Sequence, residues 1–327
     1  MINCKVKIFF LIFLISHLCG CSTNKTHEVK GNAFGTIYYI SIENDKPINQ
    51  NEIYSNINYI LNNIDNSASN YKNNSEISVF NEFKGDTFKT ISSRLFDIIY
   101  KAKIIGDITN GFFDITLGDI KISKGFYLNK KNSMKAIKRN YTYKDIELSE
   151  NNLLKKPFSY VNIDLSGIAK GYAVDLIFNY LISKNISNFV INIGGEIKTH
   201  SKYEDFITIA IDDPTNNQQF IEEVLLNNNS IASSGTYIDT VNFKGLEISH
   251  ITNPKTLKNV SNLNLLVSVI HEECAIADGL ATGLIAMDPK DIIDFSNAKD
   301  IASMLTIVKD GKLEKKYSTK FLKYLKN

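Results

Sequence analysis

The stretch HEECAIADGLATGLIAM (residues 271–287) narrows the choice of fold more than any other part of this chain. Its residues are small and apolar almost throughout, so a helix built from them has no solvent-facing side and reads as buried. Strand-like runs flank it, LNLLVSVI (263–270) before and MLTIV (304–308) after. Inside that helix Asp278 and Thr282 stand at i and i+4, which puts both oxygens on one face. Two readings fit. A carboxylate and a hydroxyl so placed can share one cation, and as hard oxygen donors they suit Mg²⁺ rather than Zn²⁺. Alternatively, Asp278 accepts hydrogen bonds near the helix start and Thr282 bonds its own backbone. The preceding His271, Glu272, Glu273 and Cys274 match no common transition-metal spacing; they read as a strand-to-helix connection, with Cys274 a small buried hydrophobe.

Elsewhere, apolar periodicity predicts two early helices, one carrying Ile53, Ile57, Ile60, Leu61 and Ile64, the other Leu95, Ile98, Ile99 and Ala102. A third, GIAKGYAVDLIFNYLI, follows Ser166. After it come the buried-strand runs FVINI (189–193) and FITIAI (206–211), with a further strand at EISHI (247–251). Residues 123–158, rich in Lys, Asn and Tyr and without clear period, read as a surface excursion with short elements. Because strands and helices do not alternate regularly, the expected class is α+β, a mixed sheet with packed helices, rather than a doubly wound parallel sheet. The 327 residues leave ample chain for such a core.

The N-terminus obeys a different logic. Lys5 and Lys7 precede the apolar run IFFLIFLIS (8–16), and LCGCS follows, with small Gly20 just before Cys21. That order predicts a secretory signal of bacterial lipoprotein type at residues 1–20 and lipid on Cys21; a plain uncleaved anchor is the alternative. Residues 21–30 then read as a polar tether, with the domain at 31–327. The expected place is extracytoplasmic, lipid-anchored to a bacterial membrane, on the periplasmic side of the inner membrane or at the cell surface. Cys4 and Cys19 leave with the signal, so Cys274 is the only free thiol and no internal disulfide can form. Loss of Lys5 and Lys7 from the 37 basic residues makes them equal in number to the 35 acidic ones. Neither a nucleic-acid footprint nor a polybasic membrane patch is visible.

DLSGIAKGYAVD (164–175) carries a second chemical signal. Ser166 can cap a helix whose first turn holds two glycines and Lys170, an arrangement open to a phosphate; ordinary capping and tight helix packing explain the same residues. It is not a P-loop, since the Lys precedes the second Gly and no Ser or Thr follows in the required slot. GGE (194–196) ends a strand and reads as a bulge or a close backbone approach. His250 stands just before Pro254, where a strand must stop, and serves as a structural hydrogen-bonder or as a base. Phe34 and Tyr71 are flat side chains able to stack on a ring system or to pack a core.

Taken in order, GNAFGTIYYI (31–40), SNYKNNSEISVFN (69–81), GFFDITLG (111–118) and IDLSGIAKGYAVD (163–175) resemble the ApbE family of FAD:protein FMN transferases. So do FVINIGGEI (189–197), SIASSGTYI (230–238), SHITNPKT (249–256) and CAIADGLATGLIAM (274–287). The resemblance implies that family's fold and Mg²⁺-dependent transfer of FMN from FAD to a threonine hydroxyl of an acceptor protein, with release of AMP. It implies Mg²⁺ on Asp278, Thr282 and the Gly167 carbonyl. Flavin-nucleotide contacts map to Phe34, Tyr71, Phe112, Phe113, Asp114, Asp164 and Lys170, and catalytic roles to Asp278 and to His250 as the group that takes the hydroxyl proton. The implied acceptor is an exported subunit of a membrane redox pump or a flavin-carrying reductase domain. With water in place of threonine, the same site would be an FAD pyrophosphatase yielding FMN and AMP; without turnover, it would belong to a flavin-binding lipoprotein. Three positions depart from the family pattern. Asn253 stands where Asp usually precedes the proline, Leu257 where Gly usually follows PKT or PRT, and Phe34 where Met is common. An amide cannot replace a carboxylate as a base or charged orienter.

Overall fold

A computed structural model describes residues 26–127, 139–214, 219–237, 240–243, 245–260, 265–309 and 312–326 of the chain. The expected signal, Cys21 and residues 22–25 lie outside the described residues. Eight strands build the main sheet: β1 (Thr26–Ala33), β2 (Thr36–Glu43), β3 (Asn188–Ile193), β4 (Glu196–Ser201), β5 (Ser230–Gly235), β6 (Leu265–His271), β7 (Ala302–Lys309) and β8 (Lys312–Tyr317). They lie side by side in chain order. The α+β class with packed helices is as expected. Every ladder in this sheet is antiparallel, however, because each excursion returns the chain beside the strand it left.

Residues 26–30, assigned above to the tether, form the first part of β1, which pairs with β2 from Thr26↔Glu43 onward. Only Val29 in that stretch is buried. An edge strand with one inward side chain carries almost no apolar signal, so it looks like linker in sequence.

Between β2 and β3 the chain forms α1 (Gln50–Ala68), α2 (Glu76–Glu82), α3 (Ser93–Ile108), α4 (Gly118–Ser123) and α5 (Ala169–Ser183); between β6 and β7 it forms α6 (Cys274–Ile285) and α7 (Ile292–Ala298). α1 buries Ile53, Ile57, Leu61 and Ile64 at helical spacing, and Asn49 caps its start by accepting from Glu52 N–H. α5 and α6 pack on each other, and α6 also contacts β5, β6 and α3, so nothing on it but Thr282 escapes full burial.

The main sheet is covered on both faces. Leu265, Val267 and Val269 of β6 join the helix-side core. Leu266 and Ile270 point the other way, into a smaller core with Ile209, Ile211, Val224 and Leu226 of the Ile207–Asp212/Phe220–Leu226 hairpin. Burial on both faces is why this strand reads as a nearly continuous apolar run, broken only by Ser268 between Leu265 and Ile270. Within the 123–158 excursion, Tyr141, Tyr143, Ile146 and Leu154 are buried, so its described part belongs to the core more than its composition predicts. Among the described residues no helix is long and apolar enough to cross a membrane.

Candidate active site

A cavity of about 400 Å³ gathers residues from the β1–β2 turn, the ends of α1 and α3, the start of α5, β4, β5 and α6. Phe34, Tyr71, Phe112, Phe113 and Asp114 line it, as do Asp164, Gly167 and Lys170. His250, Asp278 and Thr282 complete the set, so all the expected nucleotide, metal and proton-transfer residues meet in one place.

One end of the cavity is the crossing of α5 and α6. A Cβ on Gly171 would lie 2.3 Å from the Cys274 carbonyl oxygen and 2.8 Å from Asp278 Cβ, so only glycine allows this approach. Its bare N–H donates to Asp278 Oδ2 at 3.0 Å. Asp278 therefore accepts a backbone hydrogen bond as its structural reading requires, but from the neighbouring helix rather than its own. The start of α6 is capped across the same crossing: Asp175 accepts from Cys274 N–H at 3.0 Å and Ala275 N–H at 2.9 Å, with Lys198 Nζ 2.7 Å from its Oδ1. Thr282 Oγ1 sits 3.2 Å from Ser234 Oγ, and a Cβ on Gly167 would stand 3.0 Å from that same Thr282 oxygen.

Glu196 joins this cluster, a role its GGE context conceals. Lys170 Nζ donates to Glu196 Oε1 at 2.8 Å. Burial raises the Glu196 carboxyl above the usual carboxylate range; Lys170 opposes that shift and Asp278 adds to it. Burial likewise raises Asp278, against the pull of Lys170 and the Gly171 N–H. Two buried carboxylates thus share one ammonium. That excess of negative charge near the Thr282 and Ser234 hydroxyls fits a hard divalent cation. Among the described residues no group of three or more His, Cys, Asp or Glu side chains could hold a metal, so hydroxyl, carbonyl, water and ligand oxygens would have to fill the remaining positions.

The walls are held from a distance. Phe34 (φ 53°) and Gly35 (φ 76°) form the two-residue β1–β2 turn, and the left-handed backbone at Phe34 is strain stored where its ring enters the cavity. Tyr71 is exposed and meets Tyr127 edge-on at 5.0 Å. Asn70 and Asn81, both buried, donate to the Ile163 carbonyl at 2.7 and 2.8 Å and accept from Leu165 and Ile163 N–H, which pins the segment carrying Asp164. Burial would raise the Asp164 carboxyl, but Lys121 at 2.6 Å and the Ser166 N–H hold it below the usual range. Ser166, expected to cap α5, instead donates this N–H to Asp164 and accepts from Lys121 through Oγ; α5 begins at Ala169 with no side-chain cap. The Asx-type turn at Asp164 uses up the residues a Ser cap would need. Asp114 is equally engaged: Oδ1 accepts from Thr116 and Oδ2 pairs with Arg139 at 2.5 Å.

Elsewhere on the cavity wall, His250 follows the Thr240–Phe243/Leu246–Ser249 hairpin and leads into the loop with the two departures. Asn253 Oδ1 accepts from Lys255 and Thr256 N–H, while Nδ2 donates to the Ala286 carbonyl at 2.8 Å. A carboxylate could make the first two bonds but not the third, so the amide staples this loop to the end of α6. Leu257 adopts φ 58°, the left-handed backbone that glycine takes at no steric cost. Arg139 donates to the Pro254 carbonyl at 3.1 Å, Lys124 to the Leu257 carbonyl at 3.0 Å, and Lys255 Nζ lies 3.8 Å from the centre of the Phe112 ring. Arg139, Lys121, Asp175 and Glu196 were not assigned roles from sequence. None lies in a motif whose spacing shows what it touches.

Comparison with known proteins agrees with this geometry. A model of the ApbE family matches residues 34–305. An FAD:protein FMN transferase of Vibrio cholerae is 28% identical, the alignment covering 94% of this chain and 96% of that protein. One from Buchnera aphidicola is 30% identical over 100% of this chain and 99% of its own length. Among solved structures, the flavin transferase ApbE from Vibrio cholerae aligns with a TM-score of 0.80 at 27% identity, covering 92% of this chain and all of that one. The ApbE protein from Thermotoga maritima gives a TM-score of 0.80 at 25% identity, over 93% of this chain and 100% of its own.

Proposed function

This chain belongs to the ApbE family and is an FAD:protein FMN transferase, and from that premise we propose that the acceptor group is a threonine hydroxyl and that transfer depends on Mg²⁺. The observation that carries the metal reading is the pair of buried carboxylates, Asp278 and Glu196, beside the Thr282 hydroxyl in the cavity that Phe34 and Tyr71 also line. Asp278, Thr282 and the Gly167 carbonyl would hold the cation. When bound, Mg²⁺ supplies charge neutralisation for the diphosphate oxygens.

In the proposed step the threonine oxygen bonds to the phosphorus on the FMN side of the FAD diphosphate. The bridging P–O bond breaks, its electron pair leaves with AMP, and the hydroxyl proton passes to His250. Such chemistry depends on positioning and charge more than on covalent help from the enzyme. Lys170 places an ammonium at the same end as Asp278, and the Phe34 and Tyr71 rings offer flat surfaces to the isoalloxazine. Asp114 and Asp164 line the cavity as nucleotide-contact residues, and their pairing with Arg139 and Lys121 also holds the walls in place. We also propose that Cys21 carries lipid and tethers the enzyme on the extracytoplasmic side of a membrane, where the acceptor is an exported redox-pump or reductase subunit. The order of charged, apolar and small residues before Cys21 supports this.

Incubation with FAD, Mg²⁺ and a threonine-bearing acceptor, with and without chelator, tests the reading by mass spectrometry. Flavin on the acceptor threonine, lost on chelation, is the expected result. AMP with free FMN would mean hydrolysis, and intact FAD would mean binding alone; either outcome overturns transfer.

A further inference from the structure

Glu196 sits where a two-residue turn leaves it no freedom. Gly194 (φ 63°) and Gly195 (φ 104°) close the β3–β4 hairpin, and Glu196 pairs directly with Ile193 across it. Directly opposed residues of an antiparallel pair point to the same face. Ile193 belongs to the helix-side core, so the hairpin register drives the Glu196 carboxylate into that core, where it is 1% exposed. A carboxylate there must be satisfied or it costs several kcal/mol. Oε1 is satisfied by Lys170. Among the described residues Oε2 has no hydrogen-bond partner, although Glu196 lines the cavity with Asp278 and Thr282. A carboxylate that served only to pair with Lys170 would not need a buried oxygen left unpaired at the cavity.

We propose that Glu196 is the second carboxylate of the divalent-cation pocket. Oε1 positions Lys170 at the cavity, and Oε2 is kept for the cation's surroundings, where its charge adds to that of Asp278. This rests on the Mg²⁺ reading above, which counts the Glu196 charge but leaves the side chain out of the set that would hold the cation, and gives it a direct role there. It also explains the Gly-Gly-Glu turn, because the two left-handed glycines make the tight hairpin that aims the acid inward.

Mn²⁺ titration of the full chain without FAD, followed by the EPR signal of free Mn²⁺, separates the possibilities. Glu196→Gln keeps the size of the side chain and can still accept from Lys170. It should weaken Mn²⁺ binding by about tenfold or more while the protein keeps its circular dichroism spectrum and a cooperative melt. Lys170→Met removes the ammonium that offsets both acids, so it should leave Mn²⁺ binding unchanged or tighter. If the pair were only a structural bridge, both variants would act in the same direction. Mn²⁺ affinity unchanged in Glu196→Gln, or weakened in Lys170→Met, overturns the proposal, and the second arm decides it even if the first variant does not fold. Binding by the wild type that is lost in Asp278→Asn but not in Glu196→Gln removes Glu196 alone. Absence of Mn²⁺ uptake by the wild type removes the metal reading itself.

Discussion

Two regions that line the cavity are built in different ways. In the α5–α6 region, charged groups ride on helices locked by a glycine crossing and a cap supplied across it: Asp278 accepts from Gly171, and Asp175 holds the first N–H groups of α6. In the His250 region, the chain is a loop with a left-handed leucine, held down by Asn253, Lys124 and Arg139, which donate to backbone carbonyls. The first region buries charge and cannot yield without breaking helix packing. The second is strapped through backbone carbonyls just beyond His250, Ile251 and Thr252, which line the cavity. The contrast suits the proposed function: oxygens meant for a small cation would need the precision of packed helices, whereas a surface meant to admit another protein's hydroxyl would suit a loop.

Substitutions in the two regions should therefore differ in kind. Asp278→Ala should cut FMN transfer by about a hundredfold or more in an acceptor-labelling assay. Urea unfolding should shift by less than about 1 kcal/mol, because the variant removes a carboxylate that burial already disfavours. Full activity in this variant would break the contrast. Asp175→Ala leaves Lys198 buried without its counter-charge and two α6 amides without acceptors; a loss of about 3 kcal/mol in urea unfolding is expected.

Effects in the loop region should be smaller. Asn253→Asp loses the donation to Ala286 and faces a carboxylate toward a carbonyl, costing about 1 kcal/mol by the same measurement. Leu257→Gly relieves the left-handed backbone at some cost in chain entropy, for a net gain of about 0.5–1 kcal/mol. Last, burial pushes the Lys124 ammonium down to about 8 from its ordinary 10.5. Its contribution to stability is therefore complete above the unfolded value and lost as pH falls through the folded one. Urea midpoints should rise between pH 8 and pH 9.5 in the wild type, with a flatter slope in Lys124→Met.

Local periodicity was enough to find α1, α3, α5 and α6 and several central strands, because each is a repeat of side chains along its own axis. It missed β1, whose exposed edge carries only Val29 inward, and it misread Ser166, whose hydroxyl serves Lys121 instead of α5. Asp278 and Thr282 stood out since polar groups in an apolar helix are conspicuous in any register. Glu196 did not, because whether a residue after a glycine turn faces water or core depends on strand pairing. Asn70 and Asn81 lay inside a recognised segment, yet nothing in it showed that they grip residues 163–165.

The sequence by itself determined the longer helices, several central strands, the buried polar helix and the family, all properties of residues close together along the chain. Only the tertiary structure decided which charges are neighbours: Glu196 with Lys170, Asp175 with the start of α6, Arg139 with both Asp114 and Pro254. The reason is physical. Helix and strand periods are set by backbone geometry within a few residues, whereas the field at a buried carboxylate is summed over groups brought together only when distant strands pair.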